Sequence, residues 1–244
     1  MGERTFMRVG AGALVVGTVL AFVFNLIHPR SSEALDSTRG ELELVAGSDI
    51  WLFDHMMLGV ATAFVLLGLV ALASSMRGGN GDLWARSALI AGVAGVVVTW
   101  ITVVVDGMAS KEVADAWAQN PDDPARLAAG EAVVQISLAL FTAVIGASFG
   151  VTPIAFGLAI LASGAYARGF GWAAIASGVL GFVTAMIQFL GGPSVLTAAV
   201  LFPIASLSFT LVGFVLGVQM WRRSEAPAAT ATPAPPTPSP AGGA

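Results

Sequence analysis

Apolar residues run through this chain in long, nearly uninterrupted stretches. Val9 to Ile27 is the first, roughly Phe53 to Ser74 the second and Trp84 to Val105 the third, with Phe170 to Leu190 and Val195 to Trp221 closing the series. Each matches the hydrocarbon core of a bilayer, which takes about 20 helical residues. The first is longer than the apolar region of a cleaved signal peptide, and no clear small-x-small cleavage site follows it, so it reads as a retained span.

Between the third and fifth spans, Leu127 to Ser163 carries no charge except Glu131. That stretch is too long for one upright crossing. It is either one long, tilted and kinked helix, or two short spans turning around Gly150-Val151-Thr152-Pro153. Lys and Arg collect in cytoplasmic loops, which separates the two. Six spans place Arg4, Arg8, Arg77, Arg86, Arg168, Arg222 and Arg223 inside. Arg30, Arg39, Lys111 and Arg126 then lie outside among many acids. Seven spans would expose Arg168 and the Arg222-Arg223 pair, and would leave Pro153 to Ala165 too short to cross. The expected architecture is therefore all-α with six transmembrane helices, both termini cytoplasmic. The spans fall at about 9–27, 53–74, 84–105, 132–163, 170–190 and 195–221. Residues 224–244, rich in Ala, Pro, Thr and Ser, form a disordered cytoplasmic tail.

An internal echo accompanies this pattern. Gly68-Leu69, Leu72-Ala73-Ser74, Arg77, Trp84, Gly92 and Gly95 are answered by Gly157-Leu158, Leu161-Ala162-Ser163, Arg168, Trp172, Gly178 and Gly181. The second and third spans would then be repeated by the fourth and fifth, as in parallel repeats; coincidence in an Ala/Gly/Val/Leu-rich chain is the competing explanation. Gly146-x-x-x-Gly150 and Gly213-x-x-x-Gly217 have the spacing of close helix contacts, as do Ala88/Gly92 and Ala91/Gly95. They serve either packing within the bundle or a homo-oligomer face. Pro153 and Pro203 should kink their helices. Asp123-Pro124 reads as an N-cap with proline at the first helical position, and Ser48 as the cap of the second span. A short amphipathic helix is expected around Leu42, Leu44 and Val45.

Composition sharpens the exclusions. Hydrophobic residues make up 56% of the chain and charged ones 11%, with mean hydropathy +0.84, which excludes an ordinary water-soluble domain. There is no cysteine, so disulfides, thiolate metal sites, iron–sulfur clusters and cysteine nucleophiles are all excluded. A net charge of −4 argues against a nucleic-acid partner. Gly78-Gly79-Asn80-Gly81 lacks the Lys-Ser/Thr of a phosphate loop and reads as a tight inner turn. No Gly-x-Ser-x-Gly elbow is present.

The chemistry gathers on one side. Ionisable groups in spans are costly and mark functional sites by default. With six spans, Asn25 and His28 end the first helix on the outer side, and Asp54 and His55 begin the second. Asp106 leaves the third, Glu131 and Gln135 enter the fourth, and Gln188 ends the fifth. These residues predict a polar pocket open to the extracytoplasmic side. Asp54, Asp106 and Glu131 are its candidate acids or bases, and His28, His55, Gln135, Gln188 and Trp100 its candidate lining. The bland alternative is that the same groups are wetted by the interface. Trp51, Trp84, Trp172 and Trp221 read as interface anchors. A mixed His/carboxylate set suits zinc, and two histidines suit haem, but no HExxH or His-x-x-x-His spacing occurs, so the sequence assigns no metal and no cofactor.

The order Trp51…Asp54-His55, a long fourth helix ending in Gly157-Leu158…Ser163-Gly164, a short basic turn into Gly171-Trp172 and a final Trp221-Arg222-Arg223 resembles small multi-span bacterial membrane proteins grouped as a domain-of-unknown-function family. The likeness spans about residues 5–223 and implies a six-span fold in a bacterial plasma membrane, without implying a reaction. The leading expectation is an integral membrane protein whose outer pocket binds a small amphipathic ligand, lipid or ion. The runners-up are a membrane-embedded enzyme acting on a lipid or isoprenoid through those carboxylates, and a secondary transporter. The last is weakened because charges do not continue across the midplane.

Overall fold

The computed structural model describes residues 2–31, 34 and 37–225. Among them there are only helices: α1 (Glu3–Ile27), α2 (Thr38–Gly47), α3 (Trp51–Ser74), α4 (Asp82–Ala118), α5 (Pro124–Ser163), α6 (Arg168–Gly191) and α7 (Leu196–Glu225). All except α2 are long and apolar enough to cross a membrane, which makes six spans and a multi-pass membrane protein. The expected tail, apart from Ser224 and Glu225 at the end of α7, lies outside the described residues.

Neighbouring spans pack in the order α7–α1–α3–α4–α5–α6, and α6 returns to α7, so the bundle is a closed ring. Large apolar side chains point away from it: Leu26, Ile90, Phe189 and Leu190 are 70–80% exposed, as lipid-facing residues are. Inside, glycine brings backbones together. A Cβ on Gly157 would lie 2.6 Å from the Gly171 carbonyl oxygen, and one on Gly178 would lie 2.6 Å from the Gly150 carbonyl oxygen. The Gly-x-x-x-Gly pairs face the chain's own helices. Gly213 and Gly217 pack on Thr18 and Val15 of α1, and Gly146 and Gly150 pack on Ala185 and Phe182 of α6.

The stretch around Thr152-Pro153 does not fold back. α5 is continuous, and the turn before the proline widens into a π segment, Ile145–Val151. Proline offers no N–H and crowds the preceding turn, and a π segment absorbs both effects without ending the helix. Thr152 Oγ1 donates to the Ala147 carbonyl at 2.8 Å within it. The same device precedes Pro203, at Leu196–Leu201.

Two boundaries differ from the sequence reading. α4 does not end near Val105: it passes through a π segment, Val103–Ala109, and runs on to Ala118. Ser48 does not cap α3; it terminates α2, and Ile50 occupies the N-cap of α3 without a side-chain bond. Asp123 caps α5, its Oδ1 accepting from the Ala125 N–H at 2.8 Å, with Pro124 in the first turn.

The outward extensions of α4 and α5 form a cap with α2. Leu42 and Val45 bury themselves against Trp51, Ala114 and Trp117. Lys111 Nζ donates to the Val45 and Ala46 carbonyls at the carboxyl end of α2, where a cation meets the negative end of the helix dipole.

Gly178→Ala gains about 1 kcal/mol of helix propensity but forces a methyl into the α5 backbone, and overpacking of that kind costs about 1–3 kcal/mol. The variant is expected to melt at a lower temperature than wild type in detergent. Gly146→Ala, whose Cβ would meet Ala185 at an ordinary 3.4 Å, is expected to melt no lower than wild type.

Candidate functional site

At the end of the ring beneath the cap, α1 stops, α3 starts and the π segment of α4 passes by. His28 follows the last residue of α1. Trp51, Asp54 and His55 occupy the first turns of α3, where the positive end of the helix dipole suits a carboxylate. Asp106 lies within the π segment rather than in a fraying last turn. Gly107 beside it is a steric requirement: a Cβ there would come 2.8 Å from the His55 Cβ.

Hydrogen bonding determines the proton positions at His55. Its Nδ1 lies 2.8 Å from the Trp51 carbonyl oxygen, which can only accept, so Nδ1 carries a hydrogen and donates. Nε2 therefore faces Asp106 Oδ2, 3.1 Å away. An imidazole lone pair and a carboxylate lone pair do not meet at that distance unless a proton or another cation lies between them. Asp106 Oδ1 accepts from the Ser137 hydroxyl at 3.0 Å, and the Trp51 indole N–H donates to the Asp106 main-chain carbonyl at 2.9 Å. The second pair repeats the theme. His28 Nδ1 stands 2.6 Å from Asp54 Oδ2, and Asp54 is completely buried. Asp54 Oδ1 has no hydrogen-bond partner among the described residues. The Trp51 ring binds the arrangement together, its centroid 4.6 Å from that of His55 and 5.3 Å from that of His28.

No arginine or lysine neutralises these acids. Among the described residues, the ion-pair partners of Asp54 and Asp106 are the two histidines. Arg30 turns to Asn25, donating to its Oδ1 and its carbonyl at 2.8 Å each. Lys111 is committed to α2 and Asp115.

Below the cluster opens a cavity of about 630 Å³. Its upper wall carries His28, Arg30, Glu41, His55, Asp106 and Ser137. Its lower wall is chiefly apolar, with Val65, Leu69, Val96, Phe141, Phe149, Phe202 and Phe209, and with Thr99, Ser148, Thr152 and Thr210 as isolated hydroxyls. α1, α2, α3, α4, α5 and α7 line it and α6 does not. Such a volume lies within the usual range for small-molecule sites, about 300–1,000 Å³.

The structure thus brings together His28, Asp54, His55 and Asp106, places Asn25 on the cavity wall, and separates Glu131, Gln135, Trp100 and Gln188 from it. Glu131 and Gln135 are exposed on α5 and do not line the cavity. Gly130, Val134, Ser137, Phe141 and Val144 make the inward face of that helix, and both residues are rotated about 100° from it. Trp100 is 43% exposed and lies over Gly59 on the outside of the ring. Gln188 is buried, but it donates to Thr142 Oγ1 at 2.9 Å away from the cavity wall. Three participants went unnoticed as site residues: Ser137, Glu41, and Trp51, which reads from sequence as an interface anchor. The Trp51-x-x-x-His55 spacing, one helical turn on one face, was the available signal for Trp51. Ser137 stands one turn after Val134, and one before Phe141, on the wall of the cavity.

No family model matches the chain, and no curated protein or solved structure matches it.

Burial pushes the Glu41 carboxyl up to about 7; the Asp106 charge adds to this and His55 opposes it. The folded protein therefore holds a proton on Glu41 that the unfolded chain releases at lower pH, so this group favours folding at acid pH and loses that contribution as pH rises through 7. Glu41→Gln is expected to leave the melting temperature unchanged at about pH 4, below the ordinary carboxyl value, and to raise it relative to wild type at about pH 8, measured by thermal unfolding in one detergent. An equal offset at both pH values would contradict this.

Proposed function

We propose that this protein binds a single-chain amphiphile in the ring cavity, its polar head at the His/Asp cluster and its chain among Leu69, Val96, Phe141 and Phe149. The observation that carries this reading is the polarity gradient of one continuous cavity: ionisable side chains at the mouth, apolar walls below. Apolar burial supplies affinity at about 0.8 kcal/mol per methylene, roughly fourfold in binding constant, and the few polar groups orient the head.

The orientation belongs to the same proposal. The distribution of arginines supports cytoplasmic termini and a mouth facing the extracytoplasmic side of a bacterial plasma membrane. The echo between α3–α4 and α5–α6 supports descent from a duplicated helix pair. A second reading, acid–base chemistry on the bound amphiphile, is favoured by one observation. The His55–Asp106 pair borders the cavity and shares one exchangeable proton between Nε2 and Oδ2, a group able to give or take a proton at the wall.

The test is a chain-length series of alkylamines and fatty acids titrated into the protein in nanodiscs, with empty discs subtracted. Affinity is expected to rise about fourfold per added methylene until the cavity is full. Val96→Trp, which fills the lower wall, is expected to move that plateau to shorter chains. Length-independent binding, or a plateau untouched by Val96→Trp, would refute the reading. Orientation is read separately, because the chain has no cysteine of its own. A single cysteine at Asp122 is expected to label from outside intact cells, and one at Asn80 only after permeabilisation.

A further inference from the structure

We infer that His28, Asp54 and His55, with Asp106 beside them, form a binding site for one divalent transition-metal ion of the zinc class. The inference goes beyond the amphiphile reading and does not rest on it, since none of its observations concerns the apolar part of the cavity.

The first observation is convergence. One ligand atom from each of His28, Asp54 and His55 lies within 4.8 Å of the other two. Asp106 Oδ2 is 3.1 Å from His55 Nε2. Bonds of about 2.0–2.2 Å from a tetrahedral zinc ion hold its ligand atoms somewhat more than 3 Å apart, so these three groups suit a shared centre, with Asp106 beside it through His55. His28 is the natural residue to adjust, because it follows the last turn of α1 and is only half-buried.

The second observation is orientation. A metal-bound histidine donates its other ring N–H to a carbonyl or carboxylate, which sets the tautomer that leaves a lone pair for the metal. His55 does this already: Nδ1 donates to the Trp51 carbonyl, and Nε2 is directed at the cluster. Ser137 plays the corresponding part for Asp106 by donating to the oxygen that faces away from His55. Asp54 Oδ1, fully buried and without a hydrogen-bond partner among the described residues, is the kind of atom a bound cation would satisfy.

The third observation is charge. Two carboxylates and two neutral imidazoles carry −2 at the end of a membrane-spanning bundle, and no lysine or arginine among the described residues pairs with either acid. Uncompensated buried charge is strongly unfavourable. A dication cancels it fully. Mixed nitrogen and oxygen ligands select zinc, iron(II) or cobalt(II) over magnesium and calcium, which prefer oxygen alone. The rival occupant is a pair of protons, one in each His–Asp contact, and the experiment separates the two.

Protein stripped with EDTA and returned to metal-free detergent buffer is titrated with Zn(II) by calorimetry and with Co(II) by visible absorption. The expected result is one equivalent per chain, low-symmetry Co(II) d–d bands, weaker binding at lower pH as protons compete, and a higher melting temperature with zinc. His28→Ala and Asp54→Asn are each expected to weaken zinc by at least about tenfold and to abolish its effect on melting, while Asp122→Asn, an exposed acid on the far side of the cap, leaves both unchanged. If one variant fails to fold, the other carries the comparison. Substoichiometric zinc, or zinc binding undiminished in a folded His28→Ala or Asp54→Asn variant, overturns the site and leaves protons as the occupants. The chain-length series reads the apolar wall, so its failure and the failure of the metal site are seen independently.

Discussion

Two carboxylates buried at the end of an apolar helix ring must have positive charge beside them, and this requirement organises the mouth of the molecule. Asp54 and Asp106 are the only acids carried inward there by α3 and α4, and each has an imidazole nitrogen at hydrogen-bonding distance in place of a lysine or arginine. A guanidinium carries a fixed charge. An imidazole lets the protein choose between a proton and a coordinated ion, because it offers a donor or a lone pair from the same atom. The main-chain bond from His55 Nδ1 to Trp51 makes that choice local: it leaves Nε2 as the one atom whose occupant can change. Trp51 ties this to the backbone of the neighbouring helix, since its indole N–H holds the carbonyl of Asp106. The electrostatics of α4 and the tautomer of His55 therefore depend on a single aromatic residue.

The helices deliver these groups through two devices that would look like defects in a soluble protein. Glycines at the α5–α6 and α1–α7 contacts remove side-chain volume on the outer parts of the ring, where lipid supplies no hydrophobic drive and close packing must hold the helices. The volume that remains open lies at the centre. The π segments in α4, α5 and α7 border the cavity, at Asp106, at Ser148 and Phe149, and at Ala198 and Ala199. Widened turns of this sort recur at functional sites because they redirect a side chain without ending the helix.

The count of six spans was legible from hydropathy, since hydrocarbon thickness sets a length that few other constraints imitate. The continuity of α5 through Pro153 followed from arginine placement and from the shortness of Pro153 to Ala165 as a span. The continuation of α4 past Asp106 was not legible: the chain turns polar after Val105, and polarity marks the membrane edge, not the helix end. That misplaced boundary put Asp106 just past the end of the third span, when it lies within a helix and faces His55. The inclusion of Glu131 and Gln135 failed for a rotational reason. Depth along the bundle can be read from position in sequence, but one residue of offset turns a side chain about 100°. The face reading would have corrected it. Trp51, His55, Leu58, Thr62, Val65 and Leu69 follow one another by four or three residues on α3, as do Gly92, Val96, Thr99, Val103, Asp106 and Ser110 on α4. Asp54 stands at the edge of that stripe, three residues after Trp51 and four before Leu58, and is buried without lining the cavity.

The polar cluster and the apolar cavity meet in a way that couples their occupants. Any head group that enters the mouth comes against His55, Asp106 and Glu41 before its chain reaches Val96. With protons or no cation among the acids, the mouth is negative or neutral and favours a cationic or uncharged head. With the proposed divalent ion neutralising Asp54 and Asp106, the same mouth would no longer repel an anionic head, a carboxylate or a phosphate. The apolar wall is indifferent to that change. Under the proposed reading, the class of amphiphile preferred would therefore be set by what sits between two carboxylates and two imidazoles, and the length of chain accepted by the packing of α3, α4, α5 and α7 below them.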